Sequence, residues 1–264
     1  MSALEEFGVV PNSGEQRIQC PRCSSRKKTL GVDSDTGVFH CFRCGYKGRD
    51  GAPRNWLEGE LGRLQKRSQN RAERHQQAAD NAQSMWDRSR RCYWHPYLRR
   101  KAVLPLGIRQ NGRLLMVPMY DTDGKLWNVQ TIDEDGTKLF LRGGKTKGLY
   151  YPIKGKSEEI IVCEGFATGA AIHMHIRPHS RVAIAFNAGN LKPVAQALHL
   201  THSDTKLIIA ADDDQWTEGN PGVTKAREAA KAVRGKLMQP NWEGLDLGEK
   251  PTDFNDLWRL RRKQ

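Results

Sequence analysis

After Tyr151 the chain alternates short apolar runs with helix-forming segments, and no other feature of the sequence limits the fold as much. IIVCEG (160–165), RVAIAFN (181–187) and KLIIAADDD (206–214) are nearly unbroken apolar stretches, as strands covered on both faces require. Between and after them, ATGAAIHMHI, LKPVAQALHL and VTKAREAAKAVRGKL read as helices. Alternation of this kind predicts a parallel sheet with right-handed crossovers, and such sheets meet their ligands at the carboxyl ends of the strands. The strand Leu207–Ala211 delivers Asp212, Asp213 and Asp214 to that edge. Side chains alternate along a strand, so Asp212 and Asp214 share a face and Asp213 points away. The strand Ile160–Cys163 ends in Glu164-Gly165. A glutamate and an Asp-x-Asp pair at neighbouring strand ends suit a hard divalent cation such as Mg²⁺.

Upstream, LLMVPMYD, DGKLWNVQTI and TKLFLRGG read as strands of a β-meander joined by the turns Asp123-Gly124 and Asp135-Gly136. Nearer the N-terminus, Cys20-x-x-Cys23 and Cys41-x-x-Cys44 flank residues 24–40, the spacing of a closed tetrahedral zinc site. Asp35-Thr36-Gly37 is the expected hairpin turn between the two knuckles. A segment this small holds little core, so metal binding and folding are expected to be coupled. Arg17, Arg22, Arg26, Lys27, Lys28, Arg43 and Lys47 interleave there with Phe39, Phe42 and Tyr46, a pattern suited to single-stranded nucleic acid. Residues 59–91 are rich in Arg, Gln and Ala and poor in large apolar side chains, so a solvated helical connector is predicted.

The charge balance points the same way. Lys and Arg number 43 against 30 Asp and Glu, a net charge of +13 that favours a polyanionic partner through counterion release. No apolar run approaches the roughly 20 residues needed to span a bilayer. The start MSALEEFGVV lacks the basic and apolar regions of a signal peptide, so a cytosolic protein with reduced thiols is expected. Cys92 and Cys163 are then simply buried small side chains.

Glu164-Gly165 after one strand and Asp212-x-Asp214 after another resemble the Toprim domain, shared by bacterial DnaG-type primases, type IA and II topoisomerases and some nucleases. NAGNL (187–191), LGEKPTDFNDLW (247–258) and the order of parts are similar to zinc-ribbon Toprim primases of plasmids and phages. The resemblance covers residues from about 17 to 50 and from about 93 to 258. It implies a zinc-ribbon DNA-binding domain over 1–58, a basic helical connector over 59–91, a β-rich basic primase subdomain over 92–152 and an α/β Toprim catalytic domain over 153–264. It also implies synthesis of short RNA primers on single-stranded DNA for phage or plasmid replication. The substrates would be NTPs and the template would be selected by the zinc ribbon.

Carried over by resemblance, Glu164 is an acid/base or metal-organising carboxylate, and Asp212 and Asp214 coordinate Mg²⁺ or Mn²⁺. Lys138, Arg142, Lys145 and Lys147 lie in a segment similar to the basic primase motif and would contact nucleotide or template phosphates. Arg22 and Arg43 would contact DNA beside a zinc ion held by Cys20, Cys23, Cys41 and Cys44. Asp253 and Asp256 are further acidic contacts. One departure is notable: the family often carries Glu-Gly-aromatic-x-Asp, and here Thr168 takes the last place. Gly143-Gly144-Lys145-Thr146 is no P-loop, because Leu139 stands where its first glycine is needed. Without a helicase motor motif, a separate replicative helicase is expected. The competing readings are a Toprim nuclease and a non-catalytic single-stranded-DNA-binding replication accessory protein. The histidines at 173, 175 and 179 are offset wrongly for a second metal site on one helix face. Trp86, Trp94, Trp242 and Trp258 read as packing residues, and Tyr93-Trp94 as core or interface rather than a base-stacking pair.

Overall fold

The computed structural model describes residue 9 and residues 14–23, 27–50 and 54–263, with the backbone alone over 54–65. Arg26 of the basic set lies outside the described residues. The chain forms two compact units, Met1–Arg71 and Ala72–Gln264.

The first unit contains a four-stranded antiparallel sheet of β1 (Glu15–Ile18), β2 (Leu30–Asp33), β3 (Val38–Cys41) and β4 (Lys47–Arg49), paired in that order. The hairpin turn lies at Asp35-Thr36-Gly37, where Asp33 Oδ1 accepts from the Asp35 and Thr36 amides and Gly37 takes φ +69°. Leu30, Val32, Cys20 and Cys41 form a small buried cluster with Val9. A core of that size cannot offset the chain entropy of folding unaided. Gly48 pairs with Phe39 across β3 and β4, and a Cβ there would strike the Phe39 ring.

A 35-residue helix, α1 (Arg54–Arg88), occupies the predicted connector. Its described residues are largely exposed up to Gln77, but Ala78, Ala79 and Ala82 are buried. Ala82 packs against Met116, Leu126 and Val129, so the expectation of a wholly solvated helix is corrected. Alanine lacks bulk, which lets a helix with no large apolar stripe still approach a sheet closely.

That sheet is antiparallel and runs β5 (Arg90–Arg91), β6 (Arg109–Asn111), β7 (Leu114–Tyr120), β8 (Leu126–Ile132), β9 (Lys138–Phe140). A short helix, α2 (Pro96–Lys101), follows β5. Tyr93 and Trp94 are 79% and 62% exposed, so neither is the packing residue the sequence suggested.

The second sheet has the order β10-β12-β11-β13-β14: β10 (Tyr151–Ile153), β11 (Ile160–Cys163), β12 (Arg181–Ile184), β13 (Leu207–Ala210) and β14 (Lys236–Met238). The pairs β11–β12, β11–β13 and β13–β14 are parallel as predicted, whereas the edge strand β10 is antiparallel to β12. β14 is a second correction. The helix expected over 223–237 stops at Ala232, because Arg234 turns left-handed (φ +51°) and Gly235 brings the chain back beside β13.

Alternation along β11 divides the core. Ile160 and Val162 face α4 (Ala188–Thr201) and α5 (Pro221–Ala232), packing with Leu191, Val194, Val223 and Ala226. Ile161 and Cys163 face α3 (Phe166–Ala171) and α6 (Phe254–Arg261), together with Leu115, Val117 and Ile132 of the antiparallel sheet. Each fully buried Ile or Leu stabilises this core by about 1.5–3 kcal/mol. Mutual backbone bonds of 2.9 Å between Tyr120 and Tyr150 stitch β7 to the strand entry at β10. The antiparallel sheet is thereby fixed against the parallel sheet, and its edge strand β9 reaches the carboxyl ends of β11 and β13.

Candidate active site

The carboxyl ends of β11 and β13 gather the acidic residues. Glu164 leaves β11 beside the N-terminus of α4, where the Ala188 amide faces its carboxylate. Its Oε1 is buried without a hydrogen-bond partner. Burial first, and then the charge of Asp214, raises its pKa to about 7, against the opposing effects of Lys138 and the Ala188 N–H. Asp212 has a buried, unpartnered Oδ1, and its pKa is pushed well above the carboxylate range by burial, then by Glu164, Asp253 and Asp214. Asp214 Oδ2 accepts from the Gly222 amide at 3.0 Å, inside the first turn of α5. Gly222 is required there, since a Cβ would strike the Asp212 carbonyl and lie 2.9 Å from Asp214 Oδ2. Asp213 points away, with both oxygens taken by Asn220 Nδ2 (2.6 Å) and Trp242 Nε1 (2.8 Å).

A fourth carboxylate joins this group. Asp253 caps α6 through the Asp256 amide (2.8 Å) and accepts from Thr168 Oγ1 at 3.0 Å. Burial, then Asp256, raises its pKa. Thr168, the departure from the family pattern, thus serves as a hydrogen-bond donor that orients an acid 85 residues away. Asp256 is turned instead toward Lys101 (3.6 Å) and Arg259 (3.8 Å).

Of the basic residues, Lys138 reaches this cluster. A methyl group on Gly165 would lie 3.7 Å from Lys138 Nζ. Burial lowers the Lys138 pKa, while Asp253, Asp212 and Glu164 pull it back up. Lys145 lies elsewhere, with its ammonium 4.8 Å above the Trp127 ring, which Lys125 covers at 3.8 Å. Arg142 and Lys147 are exposed on the same loop.

Two buried asparagines shape that loop, and the sequence reading assigned neither a part. Asn128 Oδ1 accepts from the Leu141 amide (3.1 Å), and its Nδ2 donates to the Lys145 carbonyl (3.0 Å). Asn190 Oδ1 accepts from the Gly148 amide (2.7 Å), and its Nδ2 donates to the carbonyls of Leu149 (3.0 Å) and Ala185 (2.8 Å). Gly144 closes against Asn128, where a Cβ would collide with Nδ2. Asn190 belongs to NAGNL, so its segment was visible in the sequence although its partners were not.

In the first unit, the sulfurs of Cys20, Cys23, Cys41 and Cys44 all lie within 4.8 Å of one another. Cys20 Sγ is 3.7 Å from Cys44 Sγ, and Cys23 Sγ is 3.9 Å from Cys41 Sγ. Four thiolates about 2.3 Å from one zinc ion form a tetrahedron with edges of about 3.8 Å, so the cluster fits zinc. Burial raises the Cys41 pKa, but the Thr29 hydroxyl and the Cys44 and Arg43 amides outweigh it and bring it to about 6. Arg22 lies 5.7 Å from the Tyr46 ring centre and Arg17 lies 5.0 Å from that of Phe42, while Arg43 is exposed. At the carboxylate site, two buried carboxylate oxygens without partners, beside further acids, are what a hard cation would satisfy. Glu164, Asp212 and Asp214 would hold it.

Residues 159–263 match the Toprim domain. Over 157 residues it is 43% identical to a DNA primase TraC of Escherichia coli and 40% identical to a second E. coli protein of that name. These matches take in 55% of this chain but 15% and 11% of the relatives' own lengths. Among solved structures, the primase fragment of the bacteriophage T7 primase-helicase aligns over 95% of this chain and 98% of that one, at 14% identity and a TM-score of 0.45. Among the described residues no helix is long and apolar enough to cross a membrane.

Proposed function

We propose that the protein is a DNA primase that joins ribonucleoside triphosphates into short RNA primers on single-stranded DNA. The observation that carries this reading is the cluster at the strand ends: orphaned, buried oxygens of Glu164 and Asp212 within reach of Lys138, in a Toprim domain. Its kinship with proteins named DNA primase and the charge of +13 support the same conclusion.

A Mg²⁺ or Mn²⁺ ion bound there would offset the charge of the triphosphate and favour ionisation of the attacking 3′-hydroxyl. Asp212 and Asp214 supply the ligand oxygens, with the Gly222 amide fixing Asp214. Glu164, with its pKa near 7, holds a proton in the metal-free site and releases it readily near neutral pH. Lys138 presents its amine to the phosphates, and Arg142, Lys145 and Lys147 extend the basic surface along the clamped loop. The zinc ribbon, with Arg22 beside the Tyr46 ring and Arg43 exposed, contacts the template and selects where synthesis starts. Duplex unwinding is supplied by a replicative helicase.

The test is incubation with labelled NTPs, single-stranded DNA and Mg²⁺ or Mn²⁺, comparing wild type with Asp212→Asn. Short oligoribonucleotides from wild type alone are expected. Equal product from both proteins would move the active site elsewhere, and shortened template without product would make the protein a nuclease.

A further inference from the structure

Alternation along β9 places Lys138 and Phe140 on one face of this edge strand and Leu139 on the other. Leu139 is 64% exposed on the outer side. Phe140 faces inward with Lys138 yet keeps 37% of its surface open. Its ring meets that of Phe186 edge-on, with centres 6.1 Å apart and planes at 78°. Phe186, only 7% exposed, stands where β12 ends, directly after Ala185, whose amide bonds to the Cys163 carbonyl at 2.8 Å. The two rings therefore lie at the exit next to Glu164.

Phe186 also takes φ +73°, a conformation rarely tolerated by a bulky aromatic residue. Such outliers persist where the surroundings over-determine them, and they gather at ligand sites. Here Asn187 caps α4 immediately afterwards, and the Ala188 amide faces Glu164. Phe186 is thus held as a fixed backing for Phe140. An aromatic ring with an open surface, sharing a strand face with an amine that lies over a carboxylate cluster, matches a ligand with a flat π-face at one end and phosphate at the other.

We propose that Phe140, backed by Phe186 as a positioning residue, is a stacking platform for an unpaired nucleobase whose phosphates face Lys138. This assignment rests on the reading of the acidic cluster as a nucleotidyl-transfer site. The base could belong to the incoming nucleotide or to the template strand, and the shared chemistry is an aromatic heterocycle joined to phosphate.

The experiment is a calorimetric cycle on the full chain with Mg²⁺. ATP is compared with ribose 5-triphosphate, and a short oligothymidylate with its abasic counterpart, for wild type, Phe140→Leu and Phe140→Tyr. Stacking makes the ligand with a base bind about 5- to 150-fold tighter in wild type. That ratio should be kept by Phe140→Tyr and fall several-fold in Phe140→Leu, which retains apolar volume without a ring. A purely structural defect would weaken both members of a pair and leave the ratio unchanged. Collapse of the ATP ratio assigns the platform to the incoming nucleotide, and collapse of the oligonucleotide ratio assigns it to the template. An unchanged ratio in Phe140→Leu for both pairs, with binding intact, overturns the platform alone. Failure of wild type to bind any of these ligands would overturn both the platform and the nucleotidyl-transfer reading.

Discussion

Replacing Glu164 by glutamine should make the metal-free protein more stable at alkaline pH. The Glu164 pKa rises from 4.5 to about 7 because burial and Asp214 oppose its ionisation. Between those values the folded state binds more protons than the unfolded chain, so this residue's contribution to stability falls as pH rises. That shift corresponds to about 3 kcal/mol of stability, fully present below pH about 4.5 and fully lost above pH about 7. Glutamine is neutral throughout and can still accept from the Ala188 amide. At pH 8 in EDTA, Glu164→Gln should therefore exceed wild type by up to about 3 kcal/mol, roughly 6–12 °C in melting temperature for a unit of this size. At pH 4 the two should coincide. Tryptophan fluorescence in urea reports mainly on the second unit, which holds six of the seven tryptophans; Trp56 is the exception. Mg²⁺ should narrow the gap at pH 8 by satisfying the carboxylates of wild type. Parallel stability profiles for the two proteins from pH 4 to 8 would refute the reasoning.

Three further outcomes follow from the same geometry. Removing zinc should abolish amide protection across β1 to β4 while leaving β11 and β13 protected, as read by hydrogen exchange; protection that survives chelation would contradict the four-cysteine site. Asn190→Ala deletes the side-chain acceptor of the Gly148 amide and the donors to Leu149 and Ala185, and should cost about 2–4 kcal/mol in urea unfolding, with faster exchange at Gly148; unchanged exchange there would mean the loop holds itself. Lys138→Met removes the cation that lowers the Glu164 pKa, so the pH midpoint of Mg²⁺ binding should rise by about one unit or more; an unmoved midpoint would place the amine outside the cluster.

What the sequence disclosed was local in the chain. The cysteine pairs, the strand-end acids and the divergence of Asp213 from Asp212 and Asp214 depend on spacings of a few residues and on strand alternation. What it concealed depends on long-range partners. Thr168 appeared only as a missing acid, because the hydroxyl's acceptor, Asp253, stands 85 residues away. Asn128 and Asn190 are ordinary polar residues until the loop at 141–149 folds onto them. β14 was read as helix because its residues continue a helical composition, and the left-handed turn at Arg234 is a backbone property with only Gly235 as its cue. The burial of Ala78, Ala79 and Ala82 was concealed because alanine puts no large apolar side chain on the buried face of the helix. The separation of Lys145 from Lys138 was likewise hidden, since both lie in one basic segment until β9 ends and the chain turns toward Trp127.

The central claim is that the ends of β11 and β13 form a divalent-cation site for nucleotidyl transfer, and Mn²⁺ binding tests it most directly. Electron paramagnetic resonance titration of the zinc-loaded protein, with and without ATP, counts bound Mn²⁺ in wild type and in Asp212→Asn/Asp214→Asn. The account predicts Mn²⁺ bound by wild type, tightened by ATP, and lost from the double variant while its unfolding transition is retained. Equal Mn²⁺ binding by the two proteins would contradict it.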